Sequence, residues 1–157
     1  MTKEEFARRI IALSPVMYRL AWSQLPQQAD REDAVQEAIR RAWEKRDQLR
    51  DERRMQTWVI RILLNVCDTQ RRRAKRMLLV EDVGELSSDL KPETSLLDAL
   101  FSLEDKYRLP IHLHYIEGYD VAEVAAILRI PVGTVKSRLA RGRDKLRTLL
   151  NEEVFEP

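Results

Sequence analysis

Cysteine is nearly missing from this chain. Cys67 stands alone, which excludes an internal disulfide and any zinc site built from the cysteines of one chain. It follows Leu63 by one helical turn on an apolar face, the setting of an inert buried thiol rather than a nucleophile. Glycine (4) and proline (6) are scarce as well, so turns are few, and Ala, Leu, Arg and Glu dominate. An all-α fold is expected. No apolar run approaches the ~20 residues needed to span a bilayer. The opening MTKEEFARRI carries acids and lacks the apolar core of a secretory signal. A cytoplasmic protein without membrane insertion is expected.

Signs of catalysis are equally thin. His112 and His114, two residues apart on a helix, point to nearly opposite sides, so surface or core placement is preferred over metal ligation. Glu152 and Glu153 have no polar partners arranged for acid/base work. No catalytic residue, metal or cofactor is expected, and the chain reads as a non-enzyme.

Charge is abundant, at 34% of residues, but the formal net charge is only +2. Its placement is more telling than its sum. Arg129 to Arg147 holds seven basic residues against Asp144 alone. Arg71, Arg72, Arg73, Lys75 and Arg76 form a second basic cluster, and Glu81 to Asp98 between them carries six acids against Lys91. Two readings fit: two polyanion contacts joined by a tether that avoids nucleic acid, or solvated helix surface.

Periodicity divides the 157 residues into two small helical domains, 1–76 and 95–157, joined by a flexible acidic linker, 77–94. Phe6, Ile10, Leu13, Met17, Leu20 and Ala21 mark a first helix that Pro15 should kink or divide. Asp30 is the expected cap of a second helix, with Asp33 completing a box-like start and Ala34, Val35, Ala38, Ile39, Ala42 and Trp43 as its buried stripe. Trp22 and Trp43 are expected in the core. The charged stretch from Leu49 to Gln56 reads as a loop. Thr57 should cap a third helix with Val59, Ile62, Leu63 and Val66 inward and Arg61, Asn65, Asp68 and Arg72 on one polar face. Trp58 suits either packing or base stacking. Beyond the linker, Leu97, Leu100, Phe101, Tyr107, Ile111 and Tyr115 repeat at helical spacing, with an interruption expected at Pro110.

The C-terminal third carries the most specific pattern. Gly118 ends one helix and Asp120 caps a short one. A break at Arg129 to Pro131 then precedes a second helix from Val132. Ala125 is small where the helices would cross, and Leu128 and Val135 would share their core, as in a helix-turn-helix. Thr134 lies near the second helix's N-terminus, where free amides favour phosphate. Lys136, Ser137, Ala140, Arg141 and Arg143 project from it at spacings suited to a DNA groove. An ordinary helical hairpin with a basic surface is the plainer reading.

IPVGTVKSRLARGRDKL, preceded by Tyr115-Ile116-Glu117-Gly118-Tyr119, resembles the fourth conserved region of the extracytoplasmic-function sigma factors. DREDAVQEAIRRAWEK and TWVIRILLNVCDTQRRR resemble the second region of the same family. The resemblance implies a region 2 helical bundle in 1–76 and a region 4 helix-turn-helix domain in 95–157. It implies that Thr134, Lys136, Ser137, Ala140 and Arg141 contact the minus-thirty-five element. Leu49, Trp58, Arg61 and Asn65, with the Asp51 to Thr57 loop, would engage the minus-ten strand. Asp33, Gln36, Glu37 and Arg40 would dock on the clamp of the polymerase β′ subunit. The implied partners are RNA polymerase core, through the β′ clamp and β flap, promoter DNA, and an anti-sigma factor.

Three residues depart from the pattern. Leu49 occupies a position often aromatic and cannot stack on a base, so either another residue supplies the stack or minus-ten capture is weaker. Arg129 stands where glycine or a short polar residue usually adopts a left-handed turn, at a cost of ~1 kcal/mol. Gly142 inside the recognition helix costs a similar ~1 kcal/mol relative to Ala and is expected to loosen the helix end. Two rival functions remain in view: a free-standing DNA-binding regulator whose N-terminal half dimerises or senses a ligand, and an enzyme with a helix-turn-helix tail, such as a resolvase-like recombinase. The first lacks a ligand-pocket signature, and the second lacks strand signals for a catalytic domain.

Overall fold

A computed structural model describes residues 1–80 and 96–154. The chain forms two compact units, one within Met1–Asp82 and one within Val83–Pro157. Among the described residues every regular element is a helix or helical turn. The all-α expectation holds. The acidic linker expected at 77–94 lies outside the described residues from 81 onward, and 77–80 continue a helix.

In the first unit, α1 spans Lys3–Gln24. The Thr2 hydroxyl accepts from the Glu5 backbone N–H at 3.1 Å, and Glu4 and Glu5 place negative charge at the positive end of the helix. Pro15 does not divide α1, which runs through it without interruption. Proline leaves the Ile11 carbonyl without its usual donor, and the Ser14 hydroxyl donates to that carbonyl at 2.7 Å. Phe6, Ile10, Leu13, Met17, Leu20 and Ala21 are all buried.

Helix α2 spans Gln28–Glu44 and begins on Gln27 with no side-chain cap bond, so Asp30 falls in its first turn rather than at its cap. A carboxylate there still favours the helix dipole, which is why the acidic signal marks the right end but the wrong residue. The expected pairing of Asp30 with Asp33 as a capping box fails with it. Arg31 secures the α1–α2 turn instead, donating from Nε to the Leu25 carbonyl at 2.7 Å and from Nη2 to Pro26 at 3.0 Å. Ala34, Val35, Ala38 and Ala42 are fully buried. Their small volumes let α2 pack tightly against α1 and α3, which spans Met55–Val80.

Trp43 is not a core residue as expected: it is 39% exposed, with the Arg46 guanidinium 4.3 Å from its ring centroid. Trp22 is half-buried, with Arg31 5.5 Å from its ring. The expected loop from Leu49 to Gln56 contains a 3₁₀ turn, Glu52–Arg54, begun by Asp51 accepting from the Arg53 N–H at 3.0 Å. That turn runs into α3 at Met55, so Thr57 lies inside the helix and caps nothing. Consecutive exposed arginines hide the apolar period there, but buried Met55 anchors the start. Ile60 is fully buried, whereas Ile62 is only half-buried.

The second unit contains α4 (Leu96–Ser102), α5 (Asp105–Ile111), a π-helical turn (His112–Ile116), α6 (Val121–Leu128) and α7 (Val132–Val154). The chain breaks at Leu103 and Glu104, not at Pro110, which sits inside α5. Arg108 holds that break, donating to the Phe101 and Leu103 carbonyls at 3.0 and 2.8 Å while pairing with Asp105. Of the residues that repeat at helical spacing, Leu97 and Tyr115 are 48% and 50% exposed. The core is built on Leu100, Tyr107, Ile111, Leu113, Val124 and Val135. Buried His112 meets the Glu117 carboxylate at 2.8 Å across the π turn. Half-buried His114 donates from Nδ1 to the Tyr119 carbonyl at 2.7 Å.

Gly142 of α7 lies directly against Ile111 of α5. A Cβ there would lie 2.9 Å from Ile111 Cγ1 and 3.1 Å from its Cδ1. Ile111 is buried and has little room to move away. Gly142 therefore does not loosen α7 as expected; it provides the hollow that seats Ile111. Gly142→Ala would gain ~1 kcal/mol of helix propensity but lose ~1–3 kcal/mol to overpacking. Thermal denaturation followed by circular dichroism should show a lower midpoint for the second unit, and an equal or higher midpoint would show that Ile111 yields.

Candidate nucleic-acid interface

The turn between α6 and α7 is built from its caps outward. Asp120 accepts from the Glu123 N–H at 2.7 Å, and backbone hydrogen bonding from Glu123 holds the Asp120 carboxyl below the usual carboxylate range. At the other end of α6, Arg129 adopts φ 56°, ψ 47°. It is the only non-glycine residue with positive φ among those described. This left-handed step lets the Ile130 N–H reach the Ala125 carbonyl at 3.1 Å. The departure from glycine thus leaves the helix-turn-helix intact. Ala125 and Val135 are buried as expected, but Ile127 rather than half-buried Leu128 completes their core.

Helix α7 then carries the basic surface. Lys136, Ser137 and Arg141 are exposed, and Thr134 and Ala140 are half-buried along the same helix. A Cβ added at exposed Gly133, in the first turn of α7, would touch nothing within 4 Å, so no neighbour demands glycine there. The arginines farther along are held by tyrosines. Arg143 Nη1 donates to Tyr115 Oη at 2.5 Å, and an Arg141 side-chain hydrogen bond lowers the Tyr107 phenol's pKa. Sequence reading missed this role, because tyrosines at helical spacing also fit a core stripe.

The first unit separates its candidate residues into two groups. On α2, Asp33 and Gln36 are exposed, while Glu37 is half-buried and bonded by two arginines. Arg40 donates to Glu37 at 2.6 and 3.1 Å and to Glu44 at 2.7 Å, and Arg41 donates to Glu37 at 2.8 Å. Hydrogen bonds from Arg40 and then Arg41 hold the Glu37 carboxyl below the usual carboxylate range. This patch is a ladder of charge, not isolated side chains. On α3, Asn65 is exposed and Arg61 half-buried, with Asp68 paired to Arg72 at 3.0 Å one turn farther on. Trp58 is half-buried and meets Phe6 edge-on at 6.3 Å, so part of its ring is engaged in packing. Leu49 is half-buried and, with Arg46, Asp47 and Arg50, lines an open recess of about 550 Å³.

Family models match both units: sigma-70 region 2 over residues 10–77 and sigma-70 region 4 over residues 93–146. The extracytoplasmic-function (ECF) RNA polymerase sigma factor SigW of Bacillus subtilis (strain 168) is 31% identical, across 96% of this chain and 91% of that protein. This chain belongs to the ECF sigma factor family. SigM of Mycobacterium tuberculosis, another such sigma factor, is 31% identical over 85% of this chain and 71% of its own length. The sigma factor RpoE from Bartonella quintana, solved with the anti-sigma factor NepR, matches at a TM-score of 0.81. That match has 27% identity and covers 98% of this chain and 99% of the other. CnrH, solved with the cytosolic domain of CnrY, matches at 0.73 with 26% identity, over 97% and 91%. The chain thus has a sigma factor's role in promoter-specific transcription initiation.

Membership sets aside the free-standing regulator and the recombinase. Sigma factors are generally not enzymes. Among the described residues no helix is long and apolar enough to cross a membrane, and no group of histidine, cysteine and carboxylate side chains could hold a metal ion.

The left-handed step of this sigma factor is a point of measurable strain. Replacing Arg129 with glycine removes the Cβ clash at φ 56° and should stabilise the second unit by up to ~1 kcal/mol, whereas Arg129→Val should destabilise it by at least as much. Denaturant unfolding of the two variants should bracket the wild type; a destabilised glycine variant would mean that the arginine side chain itself supports the turn.

Proposed function

We propose that this sigma factor recruits RNA polymerase core through α2 and places two DNA-reading surfaces on the promoter. Region 2 takes residues 1–76, with α3 running on to Val80; the acidic tether follows up to residue 94, and region 4 takes residues 95–157. The observation carrying the region 4 assignment is the capped turn at Arg129, from which α7 projects its basic surface. Thr134, Lys136, Ser137, Ala140 and Arg141 contact the minus-thirty-five element, with exposed Gly133 leaving space for a phosphate near the first amides of the helix.

Region 2 captures the minus-ten strand with Leu49, Trp58, Arg61, Asn65 and the Asp51 to Thr57 segment. Leucine at 49 supplies apolar contact without stacking. Opening duplex DNA costs ~1.4 kcal/mol per base-pair step on average, so contacts to unstacked bases are needed to offset it. This chain performs no chemistry in that process; the polymerase does.

The α2 ladder of Asp33, Gln36, Glu37 and Arg40 docks on the β′ clamp, and region 4 docks on the β flap. An anti-sigma factor is the proposed inhibitor. The reading is supported by the RpoE and CnrH structures, the first in complex with an anti-sigma factor and the second with the cytosolic domain of CnrY. Working with polymerase, the protein would act in the cytoplasm.

Run-off transcription with purified core over a genomic promoter library tests the whole reading. Exposed Gln36 is the cleanest docking probe, because reversing Glu37 also breaks its bonds to Arg40 and Arg41. An exposed substitution usually shifts stability by less than ~0.5 kcal/mol, so Gln36→Arg should leave the melting temperature nearly unchanged. It should reduce co-purification with core, and Gln36→Arg with Glu37→Arg should abolish promoter-specific transcripts. A folded double variant that still forms holoenzyme at wild-type affinity would remove α2 as the docking surface. Wild-type protein that binds no core would overturn the mechanism itself.

A further inference from the structure

Tyr107, Ile111 and Tyr115 follow one another at intervals of four residues along α5 and the π turn. Ile111 fits the Gly142 hollow of α7. The two tyrosines lie to either side of that contact and each engages a different arginine. Tyr115 Oη accepts from Arg143 Nη1 at 2.5 Å, while the Tyr107 ring centroid lies 5.1 Å from both the Lys106 and the Lys145 ammonium, and Arg141 beside it lowers the phenol's pKa. Since 141 and 143 flank the residue facing α5, their side chains leave α7 on opposite sides. The segment from Tyr107 to Tyr115 thus sets one arginine of α7 beside each of its ends.

A helix lying in the major groove has base edges beneath it and a phosphate-lined wall on either side. We infer that Tyr107 and Tyr115 are positioning residues that splay Arg141 and Arg143 toward the two walls, so that these guanidiniums grip phosphates of both strands. Base reading then falls to Lys136, Ser137 and Ala140. The inference rests on the reading of α7 as the minus-thirty-five helix and assigns Arg141 within it.

The choice of tyrosine has a physical reason. A phenol orients a guanidinium without cancelling its charge, and a guanidinium has five N–H donors, so most remain for phosphate oxygens. Asp144, by contrast, pairs with Arg147 at 3.6 Å and offsets that arginine's charge.

The test uses holoenzyme assembled from core polymerase and the full chain, binding labelled duplexes with the preferred minus-thirty-five element or single-base changes in it, across a salt series. Arg141→Ala and Arg143→Ala should each weaken binding to every duplex by one common factor and lower the salt slope by about one, leaving the ranking of duplexes intact. Tyr115→Phe keeps the ring and removes one hydrogen bond, so it should cost roughly two- to tenfold on all duplexes. It should cost nothing further in the Arg143→Ala background, and Tyr107→Phe should behave the same way with Arg141→Ala.

A changed base preference in either arginine variant would make that residue a base reader and overturn its assignment. Tyrosine variants with unchanged affinity, or with losses that persist in full after the arginine is removed, would overturn the positioning role. If the wild-type holoenzyme ranks all duplexes equally, the underlying reading of α7 fails, an outcome visible before any variant is made.

Discussion

Where α5 crosses α7, one side chain occupies the space that another lacks. Ile111 rests against Gly142 at a distance that a Cβ would close to 2.9 Å, and the rest of the second unit is arranged around that approach. It places Tyr107 and Tyr115 within reach of α7. It also buries Leu113, Val124, Val135 and Leu139 beneath the helix-turn-helix. A bulkier residue would have to displace Ile111 or push the two helices apart. The glycine weakens α7 as an isolated helix, and the tertiary contact outweighs that weakness.

Both units solve the same backbone problem with arginine. A short turn between helices leaves carbonyl groups without helical donors. Arg31 donates to two such carbonyls after α1, and Arg108 donates to one in the last turn of α4 and one just after it. Arg40 and Arg41 spend their charge on α2 itself, joined to Glu37 and Glu44. Basic residues in this chain therefore divide into those that hold helices and their turns in place and those left facing outward. Their total is a poor guide to how many phosphates the protein can meet. Sorting them requires the hydrogen-bond partners, which charge runs along the sequence do not reveal.

The same distinction explains what could be read from sequence. Buried stripes such as Phe6, Ile10, Leu13, Met17 and Leu20 were legible because burial imposes the helical period directly. So was the Asp120 cap, where a short side chain satisfies a backbone donor locally. Helix α2 was misread by a few residues because Gln27 gives its start no side-chain bond. Trp43 follows the buried period yet lies at the edge, where a large ring can pack against Phe6 while Arg46 covers its exposed side. Gly142 looked like a weakness because propensity is a local quantity, while its reason is a residue thirty-one positions earlier. Tyr115 shares the helical spacing of Leu100, Tyr107 and Ile111, yet it stands on the π turn and is half exposed, and a π turn has no sequence period of its own.

Cys67 closes the interior of the first unit, fully buried, with its thiol pushed up to about 12 by desolvation. At neutral pH the thiol therefore stays protonated and unreactive. With no other cysteine in the chain, the protein presents almost no background to maleimide or iodoacetamide reagents while it stays folded. A single cysteine introduced on the surface could thus bear a dye alone. The native thiol would become a reporter of opening, reacting only as fast as the first unit exposes its core.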